Sequence, residues 1–183
     1  MADSKQNLWE KCAEVHGHEC GGLTIGYKAA LYAVELMGLE RDEAGFVSEW
    51  ENLICIAENK ACSVDAIRVI LKCTEENGNL IFHLTDKQVY TILNKRTREA
   101  FRFTLKDRPE GITRENSFAF YQSKEPADIF VAEPVQMPFP ECVGKQAEYV
   151  CSCCGETAAA SWIRFVQGKP LCLDCFAEQE NKD

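Results

Sequence analysis

Apolar residues recur at helical spacing in three stretches of this chain and alternate with polar ones in three others. Over residues 5–15, Leu8, Trp9, Cys12 and Val15 fall on one side, and Ala2-Asp3-Ser4 offers polar caps, which predicts a first helix ending at His16-Gly17-His18. Residues 23–37 predict a second, largely buried helix, with Leu23, Tyr27, Ala30, Val34 and Met37 in phase and Gly38 placed to terminate it. The small residues Gly26, Ala29, Ala30 and Ala33 let another element come close, either a core neighbour or a second subunit. Residues 46–57 predict one strand or two short ones. Ser63 is placed to cap a third helix, running to about Cys73, with Val64, Ile67, Ile70 and Leu71 inward. Residues 80–85, 88–93 and 100–105 alternate apolar and polar between turn-like breaks and predict an antiparallel meander. A charged, proline-bearing stretch over 107–114, a helix after it, and 134–140 then form a connecting region.

The fold class that follows is α+β, an antiparallel sheet with packed helices, plus a small C-terminal treble-clef or zinc-ribbon-like module. The boundary falls near Pro140, giving a core domain over 1–140 and a module over 141–183.

The module is predicted from its cysteines. Cys151 and Cys154 form a C-x2-C pair, repeated as Cys172 and Cys175 after seventeen intervening residues, a spacing that suits four thiolates on one structural zinc. Cys153 is the competing partner for Cys151. Two intervening residues fit the knuckle turn better than one, so Cys154 is taken as the ligand. Apart from Trp162, Ile163, Phe165 and Val166 the segment has few large apolar residues, and it needs its ion to fold.

Composition narrows the function. The 183 residues are 46% hydrophobic, enough for one ordinary domain and a small appendage. A formal net charge of −9 argues against gripping nucleic acid. Eleven cysteines, without a signal peptide, lipidation motif or transmembrane-length apolar run, point to a reducing compartment, the cytoplasm, and to no membrane partner. No P-loop, dinucleotide fingerprint, G-x-S-x-G elbow or H-E-x-x-H helix is present.

The densest cluster of reactive groups is His16-Gly17-His18-Glu19-Cys20-Gly21-Gly22, between the first two helices. Cys20 stands just before a helix, where orphan N–H groups favour a thiolate, and Cys62 has the same setting before the third helix. His16 or His18, with Cys20 and Cys62, could therefore hold a second transition metal, and Cys20, Cys62 and Asp65 are the catalytic candidates. A bland alternative stands beside this one, in which the loop only satisfies backbone groups. Cys12, Cys55 and Cys73 are expected in the core, and His83 is expected to be an ordinary strand residue. Lys87, Lys95, Arg96, Arg98 and Arg102 are expected to form a solvated sheet rim.

The string His16-Gly17-His18-Glu19-Cys20-Gly21-Gly22-Leu23-Thr24-Ile25-Gly26-Tyr27, followed by Ala61-Cys62-Ser63-Val64-Asp65-Ala66-Ile67, resembles the FmdE family, named for its association with formylmethanofuran dehydrogenase. The order of the later segments, ending in the Cys151-to-Cys175 module, is similar to longer members of that family. The resemblance implies an α+β core with a cysteine- and histidine-lined cleft, a homodimer, and a zinc tail. Its motif falls on His16, His18, Cys20, Cys62 and Asp65. Two departures stand out. Gly21 replaces a usual proline, which is expected to loosen the loop, and Glu75-Glu76-Asn77 replaces a glycine-rich turn, which argues against a phosphate or pterin site there.

The leading function is accordingly a metal-binding protein acting with, or in the maturation of, a molybdenum or tungsten one-carbon oxidoreductase. A metal-dependent enzyme using the His/Cys cleft and a zinc-finger interaction or regulatory protein are the alternatives.

Overall fold

Helix α1 (Ala2–His16) and helix α2 (Gly21–Leu36) open the chain. The computed structural model describes residues 2–137 and 148–180, and of these every side chain except those of 2–7, 161 and 180. The chain forms two compact units, Met1–Glu141 and Cys142–Asp183. The connection over 138–147, where the sequence places its domain boundary, lies outside the described residues.

Each helix end has a local cause. α1 begins at Ala2, so Asp3 and Ser4 lie within it rather than ahead of it. It stops at Gly17, which takes φ +90° while its N–H bonds Ala13 O at 2.8 Å. α2 ends with Gly38 at φ +57° and Leu39 N donating to Val34 O at 3.0 Å, a left-handed glycine stop.

After a short 3-10 turn (Trp50–Asn52) come strand β1 (Leu53–Ala57), helix α3 (Ser63–Leu71), and strands β2 (Leu80–Phe82), β3 (Val89–Asn94) and β4 (Glu99–Leu105). Short helices α4 (Ser117–Gln122) and α5 (Pro126–Ile129) lead into β5 (Phe130–Pro134). Two details differ from the sequence pattern. Residues 46–52 are not strand: only Val47 makes an isolated bridge, to Arg41, and Glu49-Trp50-Glu51-Asn52 has no alternation to bury. The three later strands are not a meander, because the sheet order is β2-β1-β3-β4-β5 and β2 pairs parallel to β1 while every other pair is antiparallel. β1, apolar at all five positions, is the strand best able to take a neighbour on each edge, and α3 supplies the crossover that a parallel pair requires.

Leu53, Cys55 and Ala57 point to the main core beneath the helices, and Ile54 packs on the opposite face with Leu93 and Ala100. Cys12, Cys55 and Cys73 are fully buried, and burial pushes all three thiols up, those of Cys12 and Cys73 to about 12. They are packing residues.

The small residues of α2 serve the chain itself. Ala29, Ala30 and Ala33 are fully buried, and a Cβ on Gly26 would overlap the Ser63 carbonyl oxygen. The stripe that could have faced a second subunit is occupied by α3.

Within the second unit, β6 (Glu148–Val150) pairs with β7 (Thr157–Ala159), β8 (Ile163–Val166) pairs with β9 (Lys169–Cys172), and α6 (Leu173–Glu180) follows. Its buried core is Cys151, Leu171 and Cys175, with Val166, Cys172 and Phe176 packed against them. No described helix of the chain is long and apolar enough to cross a membrane.

Arg102 is more than sheet rim. It donates to Glu58 at 2.9 Å across the sheet, and Thr85 Oγ1 donates to the same carboxylate at 2.7 Å. Burial works to raise the Glu58 pKa, but these two donors outweigh it and hold the group below its ordinary 4.5. A lowered folded-state pKa stabilises fully above the ordinary value and loses that contribution as pH falls through the folded one. Glu58→Gln should therefore cost about 1 kcal/mol at pH 7. The gap between mutant and parent urea midpoints should shrink on acidification below pH 4.5; a gap independent of pH would remove the carboxylate from the account.

Candidate metal centres

Two groups of side chains, one in each unit, bring potential metal ligands together. In the first, His16 Nε2 or Nδ1, Cys20 Sγ and Cys62 Sγ lie mutually within 4.8 Å. His16 is the last residue of α1, Cys20 caps α2, and Cys62 caps α3, so three helix ends meet at one point.

Each donor is held by its neighbours. Cys20 has extended backbone (φ −153°, ψ 163°), and its sulfur accepts the Leu23 N–H at 3.3 Å, taking the place a serine or aspartate cap would fill. Cys62 makes no such cap bond, which leaves its sulfur to face Cys20. Ser63, expected as the cap, is instead the first helical residue. Its hydroxyl joins a buried network in which Tyr90 Oη donates to Ser63 Oγ at 2.5 Å and Asn59 Oδ1 accepts from Ser63 Oγ and from the Ala61 N–H. That network fixes the turn ahead of Cys62. Gly22 supplies the clearance: a Cβ there would stand 3.0 Å from Cys62 Cβ and 3.8 Å from Cys20 Sγ.

His16 Nδ1 bonds Asp65 Oδ2 at 2.8 Å, and its Nε2 lies 3.6 Å from Cys20 Sγ. With Nδ1–H donating to the carboxylate, Nε2 is the free lone pair, the arrangement in which a carboxylate orients a metal-binding imidazole. Asp65 is itself anchored, since Arg68 donates to its other oxygen at 2.8 Å and to both oxygens of Glu75. Glu75, in the turn that departs from the family pattern, thus has a structural partner. His18 is outside the close group. Its ring lies 4.5 Å from that of His16, centroid to centroid, and it lines the neighbouring cleft.

Gly21 does not loosen the loop. It is buried, and a Cβ would overlap Ser117 Oγ of α4, so glycine is what lets α4 pack onto the start of α2. Glu19 is fixed as well, accepting the Trp9 Nε1–H at 2.6 Å. His83 is exposed beyond the end of β2 and away from both groups.

The second group is Cys151, Cys154, Cys172 and Cys175, whose sulfurs are also mutually within 4.8 Å. Cys153 is exposed and outside this set. Gly155, at φ +77°, closes the turn, and its N–H bonds Cys151 O at 2.9 Å. Backbone N–H groups converge on Cys151 Sγ, from Cys172 at 3.3 Å and Cys153 at 3.4 Å. Donors from the Cys154 and Cys172 backbone pull the Cys151 thiol down to about 6, whereas the crowding sulfurs, Cys172 first, push Cys175 up. A cluster that favours its first thiolate and resists further ones is one that a cation completes.

The two groups differ in kind. Four thiolates close a tetrahedron, whereas one imidazole and two thiolates leave a position open. Cys20 and Cys62 both line a cleft of about 560 Å3, and His16, Cys62 and Asp65 line a second of about 480 Å3 on the other side. In the first group burial, then the Cys20 sulfur beside it, raise the Cys62 thiol. Either group could hold a metal ion.

A family model described as FmdE, molybdenum formylmethanofuran dehydrogenase operon, matches residues 15–133, the whole of the sequence that builds the first group. The chain belongs to the FmdE family. Among solved structures it is similar to an FmdE-like protein of tungsten formylmethanofuran dehydrogenase from Syntrophus aciditrophicus, at TM-score 0.54 and 24% identity over 95% of this chain and 92% of that one, a likeness of fold. It is also 28% identical over 120 residues to a probable S-adenosyl-L-methionine-binding protein of Archaeoglobus fulgidus. That match covers 66% of this chain but only 30% of the relative.

The sequence pointed to all seven donors of the two groups. It missed the residues that complete the cleft, Gln88, Arg108, Arg114 and Tyr121, which come from three different segments. The only local signal was a pair of arginines flanking the proline- and glycine-bearing turn at 109–111.

Asp65→Ala should lower the affinity of the first group for added cobalt by about 10- to 100-fold, the usual effect of losing an orienting carboxylate, with no change at the four-cysteine group. The thiolate-to-cobalt absorption bands report both. An affinity equal to the parent's would mean that His16 is aligned without Asp65.

Proposed function

We propose that this protein is a two-site metalloprotein, with structural zinc on Cys151, Cys154, Cys172 and Cys175 and a second transition metal on His16, Cys20 and Cys62. The observation that carries this is the meeting of three helix ends at one open, three-donor site with an oriented imidazole. Zinc suits the closed group, since it prefers tetrahedral sulfur coordination and a module with three buried core residues has little else to hold it. The described cysteines are free thiols, as metal ligands in a reducing, cytoplasmic setting would be.

The open site serves, in this reading, a molybdenum or tungsten one-carbon oxidoreductase, by supplying or accepting metal or sulfur. The description of the family supports that partner. A metal-dependent enzyme is the second reading, favoured by the cleft against Cys20 and Cys62, in which a bound metal would supply Lewis acidity.

Metal analysis tests the assignment. Two metals per chain are expected. Cys172→Ser with Cys175→Ser should remove the zinc of the module alone, Cys20→Ser with Cys62→Ser should remove the other alone, and Cys153→Ser should keep both. Cobalt bands that survive Cys20→Ser with Cys62→Ser unaltered in intensity would refute the second site.

A homodimer is part of the same proposal, supported by the family resemblance now that the small-residue face of α2 is accounted for within the chain. Light scattering at micromolar concentration should give twice 20.6 kDa; the single-chain mass would contradict it.

A further inference from the structure

The cleft beside Cys20 and Cys62 has charged groups on its wall that the fold leaves unused. Its volume of about 560 Å3 is that of a small-molecule site. Arg108 and Arg114 line it, both exposed, and neither guanidinium has a hydrogen bond or ion pair among the described residues. Elsewhere in this unit Arg68, Arg96 and Arg102 each pair with a carboxylate.

A second observation comes from the floor. Tyr121 is 2% exposed and lines the same cleft, and its hydroxyl is the one buried side-chain polar atom without a hydrogen-bond partner among the described residues. Buried polar groups are nearly always satisfied, so an orphan hydroxyl at a cleft is expected to meet a ligand or a water held there. Gln88, also on the wall, spends its Oε1 as acceptor for Tyr90 Oη at 3.0 Å and Ser63 Oγ at 3.4 Å, which turns its amide into a fixed part of the wall.

We propose that this cleft binds a small organic anion, with carboxylate or phosphate oxygens on Arg108 and Arg114 and the opposite end against Cys20 and Cys62. Planar guanidinium groups fit either oxyanion in a bidentate manner. Glu115 is the opposing charge on the wall, since Glu19 is tied to Trp9. Removing the Glu115 charge should therefore strengthen binding. The placement of the far end rests on the metal reading of His16, Cys20 and Cys62, whereas the anchoring of the anion does not.

Calorimetric titration of the zinc-loaded full chain with inorganic phosphate, acetate and succinate tests this and separates phosphate from carboxylate chemistry. At least one probe should bind. Arg108→Gln and Arg114→Gln should each weaken it about tenfold, and Glu115→Gln should tighten it about threefold, with the fold of these exposed-site variants checked by circular dichroism. Arginine-dependent binding that persists in Cys20→Ser with Cys62→Ser supports the anchor even if the first metal site fails its own test. In cobalt-loaded protein, the first-site bands should shift on adding the bound probe and should not shift in the double arginine variant. Affinity unaffected by either arginine substitution, or no binding of any probe at millimolar concentration, overturns the proposal while leaving the metal assignment to be judged by cobalt alone.

Discussion

Everything at the first site depends on how closely α3 approaches α2. With Gly26 against the Ser63 carbonyl and Gly22 against Cys62, the start of α3 crosses the first two turns of α2 at backbone contact. The glycines, one helical turn apart, make a groove that no side chain could line. Any residue with a Cβ at Gly26 would push the α3 start away, and Cys62 with it. The cost of glycine in a helix, roughly 1 kcal/mol each relative to alanine, is offset by the burial of Ala29, Ala30 and Ala33 along the same side. The site is thus a consequence of helix packing. Its three donors occupy helix ends because those are what the crossing brings together.

The supports of that crossing are polar. Asn59, Ser63, Gln88 and Tyr90 form a largely buried set of hydrogen bonds between the β1–α3 turn and β3, so the turn holding Cys62 is tied to the sheet as well as to α2. On the outer side, Arg68 bridges Asp65 and Glu75. Packing sets the separation of the sulfurs, and hydrogen bonding sets the angle of the imidazole. These are different jobs with different sensitivities: distance is governed by the glycines, whereas orientation is governed by Asp65.

How much of this was legible in the sequence follows from the range of each interaction. Helix boundaries and the C-x2-C knuckle depend on neighbours within a few residues, so Gly17, Gly38 and Gly155 stood out and all three adopt positive φ. The position of β2 was not legible, because alternation within residues 80–85 is the same whether the strand pairs with β3 or crosses over to β1. Ser63 looks like a cap since serine usually is one before an apolar helix. Here Tyr90, distant in sequence, claims its hydroxyl. Gly21 looks like a loosened turn because its constraint, Ser117, lies on an element 96 positions later. Arg108 and Arg114 look like linker for the same reason.

The contrast between the two sulfur sites is also a contrast in what their backbones do. At Cys151 three N–H groups aim at one sulfur and draw its thiol down to about 6, so that thiolate forms before any metal arrives. At Cys62 no backbone group caps the sulfur, and burial beside Cys20 keeps its proton on. A metal must displace that proton to bind, which lowers affinity near neutral pH and makes release easier. A site that holds its ion to build a fold gains from the first arrangement. One that exchanges an ion, or exposes it to a ligand, is better served by the second, and Cys20 and Cys62 have beside them the cleft on which such exchange could act.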